Sequence, residues 1–403
     1  MAADVPRRVT IGLLRLTDAA PVIVAQEMGF FAALGLEVAL SVEPSWANIA
    51  DKLSFGRLDA AVMLPPLAFA VTLGVRGVAR RLIVPMSLSL NGNSITLARD
   101  VAAALPATAA DALAIGRSLA RHVANAQGRL RLAVVHAFSN HNLLLRYWLA
   151  VSGIDPDRQI EFSVVPPADM VNELRVGRID GFCAGAPWGA IAAQQGLGRT
   201  VVVTSQVWRN HPEKCLAVRS DWAEAHAAPL RNLIRALLRA ARFCDDPDNA
   251  PTVAGFLARG SYLAISPEIL RGSLPGKRGD KRSGRNLDVS TFFAHATHFP
   301  WLSHAAWFLE QLIRWGYLRP DIDRASLIGE VYRPDLLREA AREESVPTPT
   351  RDWKLEGAHD APWDVEGDAA AIPMRPDRFC DESVFDPGDI LGRPSKASSH
   401  DAR

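Results

Sequence analysis

The chain is poor in cysteine: Cys183, Cys215, Cys244 and Cys380 are the only four in 403 residues. No two form a C-x-x-C pair, so neither a disulfide framework nor a zinc knuckle is expected. A surplus of one charge is lacking too, with 45 Lys and Arg against 44 Asp and Glu. That balance gives no argument for nucleic acid or a membrane surface as direct partner. Nowhere do 18 apolar residues run together, so no membrane-spanning helix is expected. Catalytic signatures are absent as well. There is no G-x-S-x-G elbow, no G-x-x-x-x-G-K-[ST] loop and no H-E-x-x-H helix. His295-x-x-His298 could share a helical face, but no carboxylate or cysteine stands at ligand spacing. Neither a metal nor a cofactor is therefore expected.

No usual leader is expected at the start of the chain. Arg7-Arg8 before "VTIGLL" superficially resembles a twin-arginine export signal, but Arg15 and Asp18 interrupt the apolar run. Such a run is too short for a signal core and reads better as a first strand. A cytoplasmic location is the expectation.

What the sequence does have is 48% hydrophobic residues, enough for sizeable cores. Its length suits two domains or one large α/β unit. "VTIGLLRL", "GLEVALSVE", "DAAVML" and "RRLIVPMSL" read as strands separated by helices, one of them capped by Ser45. A second series starts at "LRLAVVHAF", continues through a helix from Ser139 to about Ser152, and includes "IEFSVVP" and "TVVVTS". This alternation predicts mostly parallel sheets flanked by helices. After about residue 206 come amphipathic helices, "APLRNLIRALLRAARFC" and "SHAAWFLEQLIRWG". Residues 1–97 and 206–345 are thus expected to form lobe one, and 98–205 lobe two. Residues 346–403, rich in Pro, Asp and Gly, read as an extended tail, ordered only where "RFCDESVFDP" docks.

One small unit occurs twice. Leu53-x-x-Gly56-Arg57-Leu58-Asp59 aligns without a gap on Leu174-x-x-Gly177-Arg178-Ile179-Asp180. In each copy a helix ends at glycine and Asp stands at the entry to an apolar strand. The expectation is that each lobe uses the unit to put a loop at the carboxyl edge of its sheet, where open α/β sheets bind ligands. Chance similarity of common turns is the plainer reading.

Helix starts at Thr17-Asp18-Ala19-Ala20, Ser45-Trp46-Ala47-Asn48 and Ser139-Asn140-His141-Asn142 would open on a cleft between such edges. Free N–H groups and the helix dipole suit a small anion there, although ordinary capping accounts for each terminus taken alone. Asn91-Gly92-Asn93 offers amides and close backbone approach, or is a plain turn. In "VWRNHPEK", Trp208, Arg209 and His211 stand where the chain would cross between lobes, and Arg209 is a fixed planar cation. The basic run at 277–285, "KRGDKRSGR", reads as a solvated loop or as a contact for an acidic partner or RNA.

Several of these stretches together resemble a known family. "EPSWANIADKLSFGRLDAAVMLPPLAFAVTLGV", "SLNGNSITL", "HNLLLRYWLAVSGIDPD", "VVPPADMVNELRVGRIDGFCAGAPW" and "WRNHPEKCLAV" are similar to the nitrate/bicarbonate substrate-binding proteins. The similarity is nearest to their cytoplasmic branch, the NasS-type nitrate/nitrite sensors. It implies a bilobal type II periplasmic-binding-protein fold with the ligand cleft between lobes. It also implies an anion site at Trp46, Asn91, Gly92, Ser139, Asn140, His141 and Arg209. Arg209 replaces a cation that is commonly lysine. The Gly185-Ala186-Pro187-Trp188 loop has Ala186 where transport members often carry an acid, which fits the sensor branch. The implied partner is an ANTAR-domain, RNA-binding transcription antiterminator, released on anion binding. The alternative is the receptor of an ABC importer for nitrate, bicarbonate or a sulfonate. The fold's thiamine-pyrimidine synthase branch carries a cysteine-dense motif that four scattered cysteines do not supply.

Overall fold

Where helix and strand alternate, the apolar runs become strands, and those at 60–63, 82–87 and 181–185 are buried along their whole length. A computed structural model of the chain describes residues 7–75, 77–106, 111–276 and 289–392. The basic run 277–285 lies outside the described residues.

The first sheet holds β1 (Arg7–Leu13), β2 (Leu36–Val42), β3 (Ala60–Met63), β4 (Leu82–Ser87) and β10 (Cys215–Arg219), in the order β2-β1-β3-β10-β4. The second holds β5 (Asn93–Ala98), β6 (Leu130–Val134), β7 (Ile160–Val164), β8 (Gly181–Gly185) and β9 (Gly198–Val203), in the order β7-β6-β8-β5-β9. The two orders are the same pattern. In each sheet the first three strands are parallel, and the strand arriving from the other sheet inserts antiparallel between the third and the last. Strand β5 pairs with β8 and β9, so the first crossing precedes Asn93 and the boundary drawn at residue 97 moves back. The apolar run after Asn93 belongs to the lobe it enters.

The repeated turn does the same job in both sheets. Asp59 Oδ2 accepts from Thr10 N at 2.9 Å, and Asp180 Oδ2 accepts from Arg131 N at 2.8 Å. Each aspartate ties the amino end of its own strand, β3 or β8, to β1 or β6. Gly56 and Gly177, at φ of 70° and 69°, end the preceding helices in the left-handed conformation that glycine takes at no steric cost. The turn therefore lies at the amino edge of each sheet, opposite the edge expected from the sequence. A helix that runs into a parallel strand must meet that strand's beginning. The carboxyl edges are left free to face each other.

Packing is tight at the helix crossing behind the second sheet. A Cβ at Gly116, in the Ala112–Asn125 helix, would fall 2.6 Å from Ser152 Cβ and 3.1 Å from Trp148 Nε1. Gly116→Ala is expected to destabilise by about 1–3 kcal/mol from overpacking. That exceeds most of alanine's roughly 1 kcal/mol advantage in helix propensity. A urea midpoint equal to or above the parent's would count against this packing.

Residues 346–392 differ from the expected loose tail. They pack along the Leu302–Arg314 helix, where Ser303 Oγ donates to Glu356 Oε1 at 2.6 Å and Leu302 N to Asp352 O at 2.8 Å. They add a hairpin of β11 (Trp363–Val365) and β12 (Ile372–Met374). They then pair with the second crossing segment through Arg209 N to Arg378 O, 2.9 Å, and Cys380 N to Val207 O, 2.8 Å. The tail holds by buried polar pairs, isolated backbone bridges and a few scattered apolar anchors such as Phe379. None of these produces the hydrophobic periodicity that a sequence reading detects.

Candidate functional site

The carboxyl ends of β1, β2, β6 and β8 converge on one cluster of buried polar side chains between the lobes. After β1 the chain turns through Thr17 and Asp18, and Thr17 N donates across the cleft to Ala186 O at 3.0 Å. After β2, Ser45 caps the Trp46–Ser54 helix by accepting from Asn48 N, and Trp46 is buried at its first position. After β6, Ser139 caps the Asn140–Val151 helix. Its hydroxyl donates to His136 O at 2.6 Å and accepts from Asn142 N at 3.1 Å. Its one O–H is spent on the His136 carbonyl, so Ser139 caps the helix and has no donor left for an anion.

Two crossing segments close the back of the pocket. In the first, Asn91 adopts φ of 60°, and its N–H donates to His211 O at 3.0 Å in the second. Gly92 follows at φ of 94°, and its carbonyl accepts from Ala186 N at 2.9 Å. The Asn91 amide expected to meet a ligand instead holds the two hinge segments together. Its side-chain Nδ2 reaches Asn210 Oδ1 at 3.3 Å.

The cation of the pocket is Lys214, and Arg209 is not in it. Arg209 is exposed, its backbone paired with the tail. Lys214 is fully buried, with Nζ 2.9 Å from Asp18 Oδ2, 2.5 Å from Glu213 Oε2 and 5.6 Å from the Trp46 ring centre. Burial alone would lower its pKa, but the two carboxylates hold the ammonium above its usual range. Glu213 is knitted in from the second lobe. Asn140 Nδ2 donates to Glu213 Oε1 at 2.8 Å and to the carbonyls of Pro212 and Glu213 at 3.0 Å, while Asn93 Nδ2 donates to the same Oε1. His141 is fully buried with Nε2 4.0 Å from Glu213 Oε2. Desolvation first, then Lys214, hold its pKa well below the usual value, so the ring is neutral.

Buried polar atoms without a hydrogen-bond partner gather here: Trp46 Nε1, both His141 nitrogens, and the side-chain oxygens of Asn91, Asn93 and Asn140. Buried polar groups are ordinarily paired, and leaving one unmade costs about 1–3 kcal/mol. Such a concentration points to a small polar ligand among them. Of the expected residues, Trp46, Asn140 and His141 meet in the pocket, Asn91 and Gly92 build its hinge, and Ser139 caps. Glu213 and Lys214 were missed, while Asp18 and Asn93 were named only as parts of the 17–20 and 91–93 stretches. A signal existed in "HPEKCLAV", where adjacent opposite charges stand at the mouth of an uninterrupted apolar strand. His295 and His298 do not pair: His295 Nδ1 faces Pro373 O at 2.8 Å and His298 Nδ1 faces Phe293 O at 3.3 Å.

Two sheets of one topology, joined by crossing segments around a cluster of buried polar side chains, define a bilobal α/β chain of the type II periplasmic-binding architecture. The chain belongs to the NMT1-like family, whose model matches residues 2–258. It is 36% identical over 358 residues to the nitrate/nitrite binding protein NrtA of Synechococcus elongatus, covering 84% of this chain and 79% of that protein. It is also 36% identical over 399 residues to the nitrate import ATP-binding protein NrtC of Synechocystis, covering 97% of this chain. The chain spans only 55% of that relative's length. Among solved structures, the periplasmic nitrate-binding protein NrtA from Synechocystis PCC 6803 matches with a TM-score of 0.82 and 27% identity, over 97% of this chain and 98% of that one. Among the described residues, no helix is long and apolar enough to cross a membrane.

Proposed function

We propose that this chain is a solute-binding protein that closes its lobes on one small planar monoanion, nitrate or nitrite. The observation that carries the reading is the buried Lys214 ammonium beside the unpartnered N–H of Trp46 and the neutral ring of His141. Three donors around an aromatic wall match the three in-plane oxygens of nitrate. A dianion such as sulfate would add two negative charges to a pocket whose single cation already faces two carboxylates. Calorimetric titration with nitrate, nitrite, bicarbonate and sulfate is the test. Micromolar binding of nitrate or nitrite, with sulfate at least about a hundredfold weaker, is expected. Micromolar affinity corresponds to about 8 kcal/mol. Preferential sulfate binding would overturn the reading.

The donor role of Trp46 has its own check. Trp46→Phe keeps the aromatic wall and removes the N–H. A hydrogen bond to a charged partner is worth about 1.5–3 kcal/mol, so nitrate affinity should fall roughly tenfold to a hundredfold. Unchanged affinity would move the anion away from this ring.

Import proteins head the relatives, which supports the receptor of an ATP-driven importer over the regulatory sensor expected from the sequence. The sensor reading, with its ANTAR antiterminator and cytoplasmic location, rests on the sequence resemblance alone. Size-exclusion of the mixed proteins with and without nitrate separates the two. A complex that forms only without the anion supports the sensor, and no complex in either condition leaves the importer receptor.

A further inference from the structure

The pocket holds one carboxylate more than its cation balances. Asp18 Oδ2 and Glu213 Oε2 both lie against Lys214 Nζ, at 2.9 and 2.5 Å. With both ionised, the three groups carry one net negative charge, and a bound monoanion would raise this to two in a buried site. Like charges at such distances strongly disfavour one another when water is excluded. We infer that Glu213 takes up one proton from solvent for each anion bound in the closed cleft, making binding a coupled uptake of anion and proton. The inference rests on the anion-binding reading above and adds the residue that sets the pocket's charge.

Glu213 is the group best placed for that proton. Its side chain is 1% exposed against 8% for Asp18. The groups facing it come from every element around it: Asp18 from the turn after β1, Asn93 from β5, Asn140 and His141 from the helix after β6, and His211 and Lys214 from its own crossing segment. Neither histidine supplies a compensating charge. Burial and Lys214 keep His141 neutral, and burial brings His211 down to about 4. Burial pushes the Glu213 carboxyl up to about 7 against the opposing pull of Lys214. The acid form also has an acceptor waiting. Asn93 donates through Nδ2 to Glu213 Oε1, while its own Oδ1 is buried without a partner. A half-turn of that amide presents Oδ1 to a Glu213 O–H.

The sign follows by linkage: above the carboxyl's value of about 7 the anion-free pocket is ionised, and each binding event must add a proton. Nitrate affinity should therefore fall about tenfold per pH unit above that point and level off below about pH 6. The experiment is calorimetric titration of the full chain with sodium nitrate at pH 6 and pH 8, in buffers of different ionisation enthalpy. Uptake close to one proton per nitrate at pH 8, and close to none at pH 6, is expected. Glu213→Gln should abolish the uptake and bind nitrate at pH 8 about tenfold tighter than the parent. Nitrate binding at pH 8 without proton uptake overturns the inference, as does a Glu213→Gln protein that still takes up a proton. Should that variant fail to fold, infrared difference spectra of the parent decide. A new protonated-carboxyl band on nitrate binding supports the inference, and its absence overturns it. A parent that binds no nitrate at either pH is a different failure: it removes the anion-binding reading itself, and the coupling with it.

Discussion

Lys214→Met is expected to bind nitrate at least about a hundredfold more weakly than the parent, while Arg209→Ala stays within about twofold. Lys214 has no solvent exposure and is held between two carboxylates, whereas Arg209 is exposed. Truncating one partner of a buried, hydrogen-bonded charge pair costs about 2–5 kcal/mol, and each 1.4 kcal/mol is tenfold in affinity. Methionine keeps the apolar stem of lysine and removes the charge. It also strands Asp18 and Glu213, so the thermal midpoint should fall as well, because an uncompensated buried charge is destabilising. Loss of binding must then be separated from loss of fold. Adding Asp18→Asn removes one stranded carboxylate and should recover much of the midpoint without recovering nitrate binding. Circular dichroism and calorimetry on the three proteins decide the matter. Lys214→Met binding within threefold of the parent, with Arg209→Ala losing binding, would return the site to the residue expected from the sequence.

The same pair of residues shows how far the sequence could be read. Both cations lie in one eight-residue stretch, "WRNHPEKC", and the rule that a fixed planar cation suits a planar anion favours arginine. What decides between them is the direction in which the chain enters β10. Trp208 turns inward under the tail and Arg209 outward, and the strand then buries Lys214 at its first turn into the sheet. That alternation depends on residues 376–380, more than 160 positions away, which pair with this segment. The duplicated turn is a similar case. Its sequence shows a helix, a glycine and an aspartate entering a strand, and the fold has all of these. Its place at the amino edge follows once the strand is parallel to β1 or β6, and pairing across 49 residues is not a local property. The helix starts at Trp46 and Asn140 were legible because caps are local. Glu213 and Asp18 were not, since carboxylates are unexpected in an anion site until the lysine between them is known.

The tail also accounts for the second large effect: Phe379→Ala is expected to lower unfolding free energy by about 3–5 kcal/mol, the usual cost of truncating a buried phenylalanine. Phe379 is almost fully buried, with its ring centre 4.8 Å from that of Trp208, 5.5 Å from Tyr147 and 6.1 Å from Trp307. These partners come from three places: the second crossing segment, the Asn140–Val151 helix of the second lobe, and the Leu302–Arg314 helix. Beside it, the Tyr147 hydroxyl meets Asp381 Oδ1 at 2.9 Å and Ser383 Oγ at 2.8 Å. One side chain thus fastens a segment that leaves the first lobe onto the hinge and onto the second lobe. A large share of the loss should appear as detachment of residues 376–385, seen as faster amide exchange there than in β1 or β6. Val384→Ala, at a position 53% exposed, is the control and should change stability by no more than about 0.5 kcal/mol. Nitrate affinity should weaken too, because Trp208 backs the segment that carries His211, Glu213 and Lys214 into the pocket, its ring 6.5 Å from that of His211. That loss should be smaller than the one from Lys214→Met, since the charge itself remains. If Phe379→Ala leaves both the urea midpoint and the exchange of the hinge unchanged, the tail is an appendage resting on the hinge and takes no part in holding the two lobes in register.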